Sequence, residues 1–426
     1  MSAWLLRWGW LLLVVASPFL LLPSPERSPA LMVAPALVWV YGRGREARTP
    51  LDWPITLLCL MVLVSLYATY DIAFSLTKIA GVLFGVALFY VLTYQLRRYP
   101  SILTRVLVGY LLLGGGLAGL SLLGTAWSVK TPWLAPLVSR LPARLFSLSG
   151  AEAGVNPNEV AGVMQWFVPL GVAVSGQAVR RVGRPRTLFW LAIPATLITV
   201  IVLVLTQSRG GLLGMMAALL VMLWLVSGAR LRWGVAVVAV VLAAGAGWYL
   251  AGQEGGLEAA VGGTANSGAA ESGQAALNSL EGRLEIWSRA IYGIQDFPFT
   301  GMGMNTFRRV VPVLYPLFLI SPDQDIAHAH NIWLQVALDL GLPGLIAYLT
   351  IWIVTIAMLV QVLRGTQDTW LRAVSVGILG CLAGYFVYGI TDTVALGAKP
   401  GFLWWMLIGL ATALWKLEQI PAAPEQ

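Results

Sequence analysis

The sequence predicts an all-α, polytopic integral membrane protein. Three observations carry that reading. The chain has 426 residues, of which 58% are hydrophobic and only 11% charged, against roughly 25% charged in an average soluble domain. Its apolar residues fall into runs long enough to span a bilayer, which takes about 20 residues in a helix. Its net charge of +8 comes from 27 Lys+Arg and 19 Asp+Glu, and the arginines crowd into alternate short connections, as positive-inside loops do. An ordinary soluble enzyme, a disordered chain and a nucleic-acid binder built on a dense basic patch are excluded.

About twelve candidate spans follow in order. They lie near 4–22, 30–42, 53–69, 72–94, 102–126, 159–178, 187–206, 211–227, 233–251, 343–363, 371–391 and 400–416. The first has the look of a signal peptide but no soluble domain follows it, so it is kept as a span. The second and eighth are short, which fits tilted or broken helices. With a cytoplasmic N-terminus the inside connections hold Arg43, Arg45, Arg48, Arg97, Arg98, the cluster Arg180–Arg186, Arg230, Arg232, Arg364 and Arg372. This divides the chain into 1–251 with nine spans, 252–329 as a large outside loop, and 330–426 with a histidine-bearing helix, three spans and a short cytoplasmic tail. The loop opens with a Gly/Ala/Ser tract that reads as a linker or flap, and becomes denser from Arg283. A Pro-rich outside segment near 127–158 carries Lys130, Arg140 and Arg144. Cys59 and Cys381 lie in apolar stretches without metal-type spacing, and read as small core residues.

The residues able to do chemistry gather on the outside by parity. His328 and His330 are the only histidines. A helix is expected to start just after them, and a helix N-terminus favours neutral imidazole, the form a general base needs. His330 is the first choice as base and His328 the second. Asp323 and Asp325 would oppose that effect if close. Zinc or manganese on Asp323, Asp325, His328 and His330 is the weaker reading, because no distant partner motif completes the set. Arg209 stands in TQSRGGLLG, with Ser208 as a candidate N-cap and Gly210–Gly211 allowing close backbone approach. A cation at the positive end of a helix makes sense if an anion is shared there; the plain alternative is an interfacial snorkelling arginine.

Arg283, Trp287 and Ile291 share one face of an expected amphipathic helix, ended by Gly293 and Pro298. Arg283 is the better phosphate ligand, because a planar guanidinium grips phosphate oxygens bidentately. Arg289, Arg308 and Arg309 read as surface or headgroup contacts. Asn331, Gln335 and Asp339 form a polar stripe, open between a functional cavity and interhelical hydrogen bonds. Asp392 and Lys399 also fall outside. A cationic cluster with one base, at the outer bilayer surface, suits the diphosphate headgroup of a lipid. A lipid-oligosaccharide transporter is the rival of another class; it should show repeat symmetry and midplane charges, and neither is visible in the sequence.

These residues resemble a known family. HNIWLQVALDLGLPG places His330-Asn331, nine residues, then Gly341 and Gly344, a pattern similar to bacterial O-antigen ligases. The SRGG turn at Arg209, NPNEVAG at 156–162 and the run from Arg283 to Gly303 are similar to the wider O-antigen ligase/polymerase superfamily. The likeness covers about residues 150–416. It implies an all-helical fold in the bacterial inner membrane with a large periplasmic loop. It implies metal-free, cofactor-free, inverting transfer of a glycan from undecaprenyl diphosphate to an acceptor hydroxyl, of lipid A-core type for a ligase. It implies that His330 is catalytic and that Arg209 and Arg283 hold the diphosphate. His328, Arg289, Lys399, Asp392 and Asn331 remain possible secondary site residues. A polymerase of the same superfamily, acting on a lipid-linked glycan acceptor, is the alternative. The partners expected are these lipids, with no nucleic acid.

Overall fold

The computed structural model describes residues 3–22, 30–42, 48–142, 145, 154–180, 186–239, 280–320 and 325–419. The fold is all-α. The first helices are α1 (Ala3–Trp8), α2 (Trp10–Leu21), α3 (Val33–Tyr41), α4 (Asp52–Ala68), α5 (Ile72–Arg98) and α6 (Leu103–Gly124). A short α7 (Ala135–Val138) precedes α8 (Pro157–Met164), α9 (Val168–Arg180), α10 (Arg186–Leu205) and α11 (Arg209–Val226). Then come α12 (Leu280–Asp296), α13 (Phe307–Leu314), α14 (Ile332–Gly365), α15 (Thr369–Thr391) and α16 (Phe402–Glu418). Among the described residues, 7 helices are long and apolar enough to cross a membrane, and four shorter apolar helices accompany them. The stretch at 211–227, expected to be short, is among the seven as Arg209–Val226, whereas Ala30–Tyr41 is indeed short. Most of the expected span near 233–251, the Gly/Ala/Ser tract and Asp323 lie outside the described residues.

α15 is the central helix. It packs against α9, α11, α14 and α16, while α5 pairs with α16, α6 with α10, and α4 with α14. Aromatic side chains fill the joint between α14, α15 and α16. Trp352 stacks on Tyr385 at 6.2 Å between centroids and 9° between planes, and Tyr348 lies 5.1 Å from Trp404. Burial of such rings dominates packing energetics. Charge separates to the two ends of the bundle. At one end Arg97, Arg98 and Lys416 line a cavity of about 370 Å³ with Tyr41 and Tyr90. The opposite end receives the C-terminus of α15 and the N-termini of α8, α11 and α14.

The segment from α12 to 329 has a hydrophobic cluster of its own, with Ile286, Ala290, Phe307, Val311, Ile326 and Ala329 buried against Leu338 of α14. α12 is the amphipathic helix expected from Arg283, and it ends two residues before Pro298. It runs through Gly293 to Asp296. There the missing Cβ admits Leu338 Cδ1 and Met302 Sδ, which an alanine methyl would meet at 2.6 and 2.7 Å. Its buried face is Arg283, Ile286 and Ala290, whereas Ile291 is exposed. Of the three residues that share one face by i, i+4, i+8 spacing, Arg283 is buried and Trp287 packs against this cluster.

α14 begins at Ile332, just after the histidines as expected, breaks at Gly341 (φ 70°, ψ 176°) and continues as the span expected near 343. A broken helix leaves backbone groups without intrahelical partners, and buried ones must be satisfied elsewhere. The loop after α12 supplies them. Met302 N–H donates to Leu338 O at 2.7 Å, and Leu342 N–H donates to Pro298 O at 2.7 Å. The break thus docks residues 298–302 onto α14 and fixes the first half-helix, Ile332–Leu340, below the histidines.

The conformation at Gly341 is one that only glycine adopts readily, and forcing another residue there costs on the order of 1–3 kcal/mol. A Cβ would also lie 2.5 Å from Phe299 O. Gly341→Ala is therefore expected to lower the melting temperature of the detergent-solubilised protein by several degrees. Gly116→Ala, whose Cβ would meet nothing within 4 Å, serves as the control and is expected to leave it unchanged or slightly raised.

Candidate active site

The last carbonyls of an α-helix have no partner within the helix and attract donors, cations above all. The end of α15 shows this three times over. Asn331 Nδ2 donates to Ile390 O at 3.1 Å. Arg283 Nη1 donates to Thr391 O. Asp392 then caps the helix with its backbone N–H donating to Tyr388 O at 2.9 Å, and turns its buried carboxylate outward from the axis to the same group of side chains. Asp392 Oδ1 accepts from Thr393 N–H at 2.8 Å and lies 3.1 Å from His330 Nδ1. Its Oδ2 is 4.0 Å from Arg283 Nη2.

The histidine loop is held from below. Asn331 is the N-cap of α14, its Oδ1 accepting from Trp333 N–H at 3.0 Å and Leu334 N–H at 3.1 Å. His330 therefore sits one residue before the cap rather than in the first turn, and adopts a left-handed φ of 48°. For a residue with a Cβ this stores strain of the kind found at functional sites. The polar stripe now has an account. Gln335 Oε1 accepts from Ala329 N–H at 2.8 Å, between the two histidines, and Gln335 Nε2 donates to Asp339 Oδ1 at 2.9 Å. The stripe fastens the loop to its own helix. Asn331 differs from its two neighbours in reaching across to α15.

The hydrogen-bond partners assign both imidazole tautomers. An ionised Asp392 is acceptor only, so His330 Nδ1 carries the proton and its Nε2 keeps the lone pair. His328 Nδ1 accepts from His330 N–H at 3.3 Å, so His328 Nε2 carries the proton and faces Glu159 Oε1 at 3.5 Å. Burial pushes His330 below the ordinary histidine range; Asp392 opposes this, and His328 adds to the lowering. Burial by itself would raise Asp392, but His330, His328 and Arg283 beside it hold its carboxyl well below the usual range. The result is a neutral base whose proton-bearing nitrogen is fixed by an ionised carboxylate.

The turn at Arg209 meets this cluster through Thr391. Ser208 caps α11, its Oγ accepting from Gly211 N–H at 3.2 Å. Gly210 packs so closely on Thr391 that a Cβ there would lie 2.3 Å from Thr391 Oγ1. Arg209 is exposed at the first position of α11, whereas Arg283 is buried and its Nε has no hydrogen-bond partner. A buried, under-satisfied guanidinium beside an exposed one at a helix N-terminus is a setting for an anion.

His328, His330 and Asp392 also offer ligand atoms within 4.8 Å of one another, close enough for a metal ion. Arg283 competes for that carboxylate, and a divalent cation there would face a buried guanidinium. Of the two acids weighed with the histidines, Asp325 pairs with Arg308 at 2.8 Å. Arg289 belongs to the packing of the large loop, donating to Pro316 O at 2.8 Å and pairing with Glu285 at 3.5 Å. Lys399 stands exposed in the turn just before α16, within electrostatic range of Lys78.

Sequence reasoning reached Arg209, Arg283, His330, Asn331 and Asp392, but not that Asp392 is the partner of His330. It did not single out Glu159, Thr391 or Lys130. Glu159 was visible inside NPNEVAG without a role, and Thr391 acts through its carbonyl, which leaves no mark in side-chain chemistry.

Residues 194–349 match the family described as O-antigen ligase. The match contains Arg209, Arg283, His328, His330 and Asn331, and ends before Asp392. No curated protein matches the chain. The match is a likeness of this region to that family, and the 7 helices long and apolar enough to cross a membrane, among the described residues, fit a multi-pass membrane protein.

With only two histidines, nitrogen-15 NMR on histidine-labelled protein can follow the pair directly. His330 is expected to titrate below its ordinary midpoint of about 6.5 and to show the Nδ1–H tautomer when neutral. Asp392→Asn removes the charge that raises the midpoint, so it should titrate lower still and lose its single tautomer.

Proposed function

We propose that this protein is a member of the O-antigen ligase/polymerase superfamily and transfers a glycan from undecaprenyl diphosphate to an acceptor hydroxyl on the periplasmic side of the bacterial inner membrane. The acceptor for a ligase is lipid A-core. The observation that carries this reading is the constellation of His330, Asp392 and Arg283 at one end of the bundle, with Arg209 joined to it through Thr391.

The step is a single displacement. The acceptor hydroxyl gives its proton to His330 Nε2, and its oxygen attacks the anomeric carbon of the lipid-linked sugar. The bond from that carbon to the diphosphate oxygen breaks, and the diphosphate leaves with the electron pair, so configuration at the anomeric carbon inverts. Asp392 holds the imidazole and stabilises the imidazolium as it forms. Arg209 and Arg283 stabilise the charge that develops on the leaving group, the kind of preorganised electrostatic contribution that is large where water is excluded. The activated diphosphate bond supplies the driving force, so the proposal invokes no metal, nucleotide or redox cofactor.

The orientation rests on charge. Arg97, Arg98 and Lys416 gather at the end opposite the histidines, and basic residues favour the cytoplasmic side. Functional charges gathered at one end, rather than near the midplane, favour an enzyme over a lipid carrier.

Purified protein given labelled undecaprenyl-diphosphate glycan is expected to modify lipid A-core added as acceptor. A ladder of longer lipid-linked glycans, with no modified lipid A-core, would make it a polymerase. His330→Ala is expected to lower the transfer rate by about 10²–10⁴-fold, the usual worth of a placed general base. Full transfer by that variant would remove the base from the mechanism.

A further inference from the structure

Lys130 lies on the loop after α6, far in sequence from every residue of the site, and the fold brings it there. The side chain of Gln207 makes the connection. Its Oε1 accepts from the N–H groups of Lys130 and Thr131 and from Thr131 Oγ1, each at 2.8 Å. Its Nε2 donates to Ser128 O at 2.9 Å. Gln207 is buried, and its left-handed φ of 51° places it two residues before Arg209. One amide therefore clamps residues 128–131 to the turn that carries Arg209.

The ammonium is aimed by a second contact. Lys130 Nζ donates to Oδ1 of the buried Asn158 at 3.4 Å. The carbonyl of Asn158 accepts from Tyr388 Oη at 2.8 Å, one helical turn before Thr391. The residue is exposed at the surface, yet its charged end stands in the combined field of Asp392, Arg283 and Arg209. Burial of that end lowers its pKa, Asp392 opposes this, and Arg283 and Arg209 add to the lowering. Lys130 thus shares a field with two other cations, Arg283 and Arg209; like charges repel, and an anion carrying more than one charge relieves that repulsion. Arg283 Nε, buried and without a hydrogen-bond partner, is a further donor available to such an anion.

We propose that Lys130 is a third cationic ligand of a diphosphate, alongside Arg209 and Arg283, and that Gln207 is the residue that positions it. The proposal rests on the lipid-diphosphate reading above. A point-charge ammonium on a flexible stem complements two directional guanidinium groups, since it can follow the headgroup as the glycan leaves.

The test is equilibrium binding of undecaprenyl diphosphate, undecaprenyl monophosphate and inorganic pyrophosphate to the full-length protein in detergent. Lys130→Ala is expected to weaken diphosphate binding about ten-fold, the order of one charge-assisted contact, and monophosphate binding less. Lys130→Arg should recover most of the loss. The same dependence with pyrophosphate assigns the effect to the headgroup, whereas a loss seen only with the lipids would place Lys130 on the tail and overturn the proposal. Gln207→Leu should weaken diphosphate binding in the wild-type background and add little to Lys130→Ala; fully additive losses would remove Gln207 as a positioning residue. If Lys130→Ala binds diphosphate as tightly as wild type while Arg283→Ala does not, Lys130 is no ligand and the donor reading survives. If the wild-type protein binds no undecaprenyl diphosphate, the donor reading itself falls.

Discussion

The site depends on the hydrogen-bonding requirement of one helix end. α15 finishes at Thr391, and its last carbonyls need donors. Asn331 and Arg283 provide them, from α14 and α12. Asp392, the residue that caps the helix, then has a buried carboxylate within reach of both a histidine and an arginine. Groups far apart in sequence are thus brought together by backbone chemistry before any substrate is considered. The arrangement also divides the contacts: Arg283 holds Thr391 O and faces Asp392 Oδ2, while Asp392 Oδ1 orients His330.

The break in α14 performs the complementary task. A continuous helix would have its Leu338 carbonyl and Leu342 amide satisfied internally. Because Gly341 interrupts it, both groups bond to the loop after α12. That loop carries the hydrophobic cluster against which the buried face of α12 packs, and α12 carries Arg283. The strained His330 and the non-helical Gly341 bracket one half-helix, Ile332–Leu340. The strain at His330 is tolerated because Asn331, Gln335 and Asp339 over-determine the conformation that follows it.

Much of the fold was legible in the sequence, because a bilayer-crossing helix is a coarse signal: length and lack of charge suffice. The Arg209 turn was legible for the same reason that caps are, since Ser208 and the glycines act within a few residues. Helical phase was less so. Arg283, Trp287 and Ile291 share one face by spacing, but spacing does not say which of them is buried; that is set by Leu338 and Met302, residues of other segments. The pairing of His330 with Asp392 spans 62 positions and involves no local pattern, so sequence could supply both residues but not the bond. Lys130 was hidden more deeply, because its place depends on the side chain of Gln207, a residue with no motif of its own.

The central claim is that Asp392 fixes His330 as a neutral base that takes the acceptor's proton. The rate of glycan transfer as a function of pH, in wild type and Asp392→Asn, tests it most directly. In the wild type kcat/KM should fall as pH drops through the His330 midpoint, below about 6.5, because protonation removes the base. In Asp392→Asn that limb should move to lower pH while the plateau drops by about 10²–10⁴-fold. A wild-type profile flat through this range, or an Asp392→Asn variant with an unchanged plateau, would contradict the account.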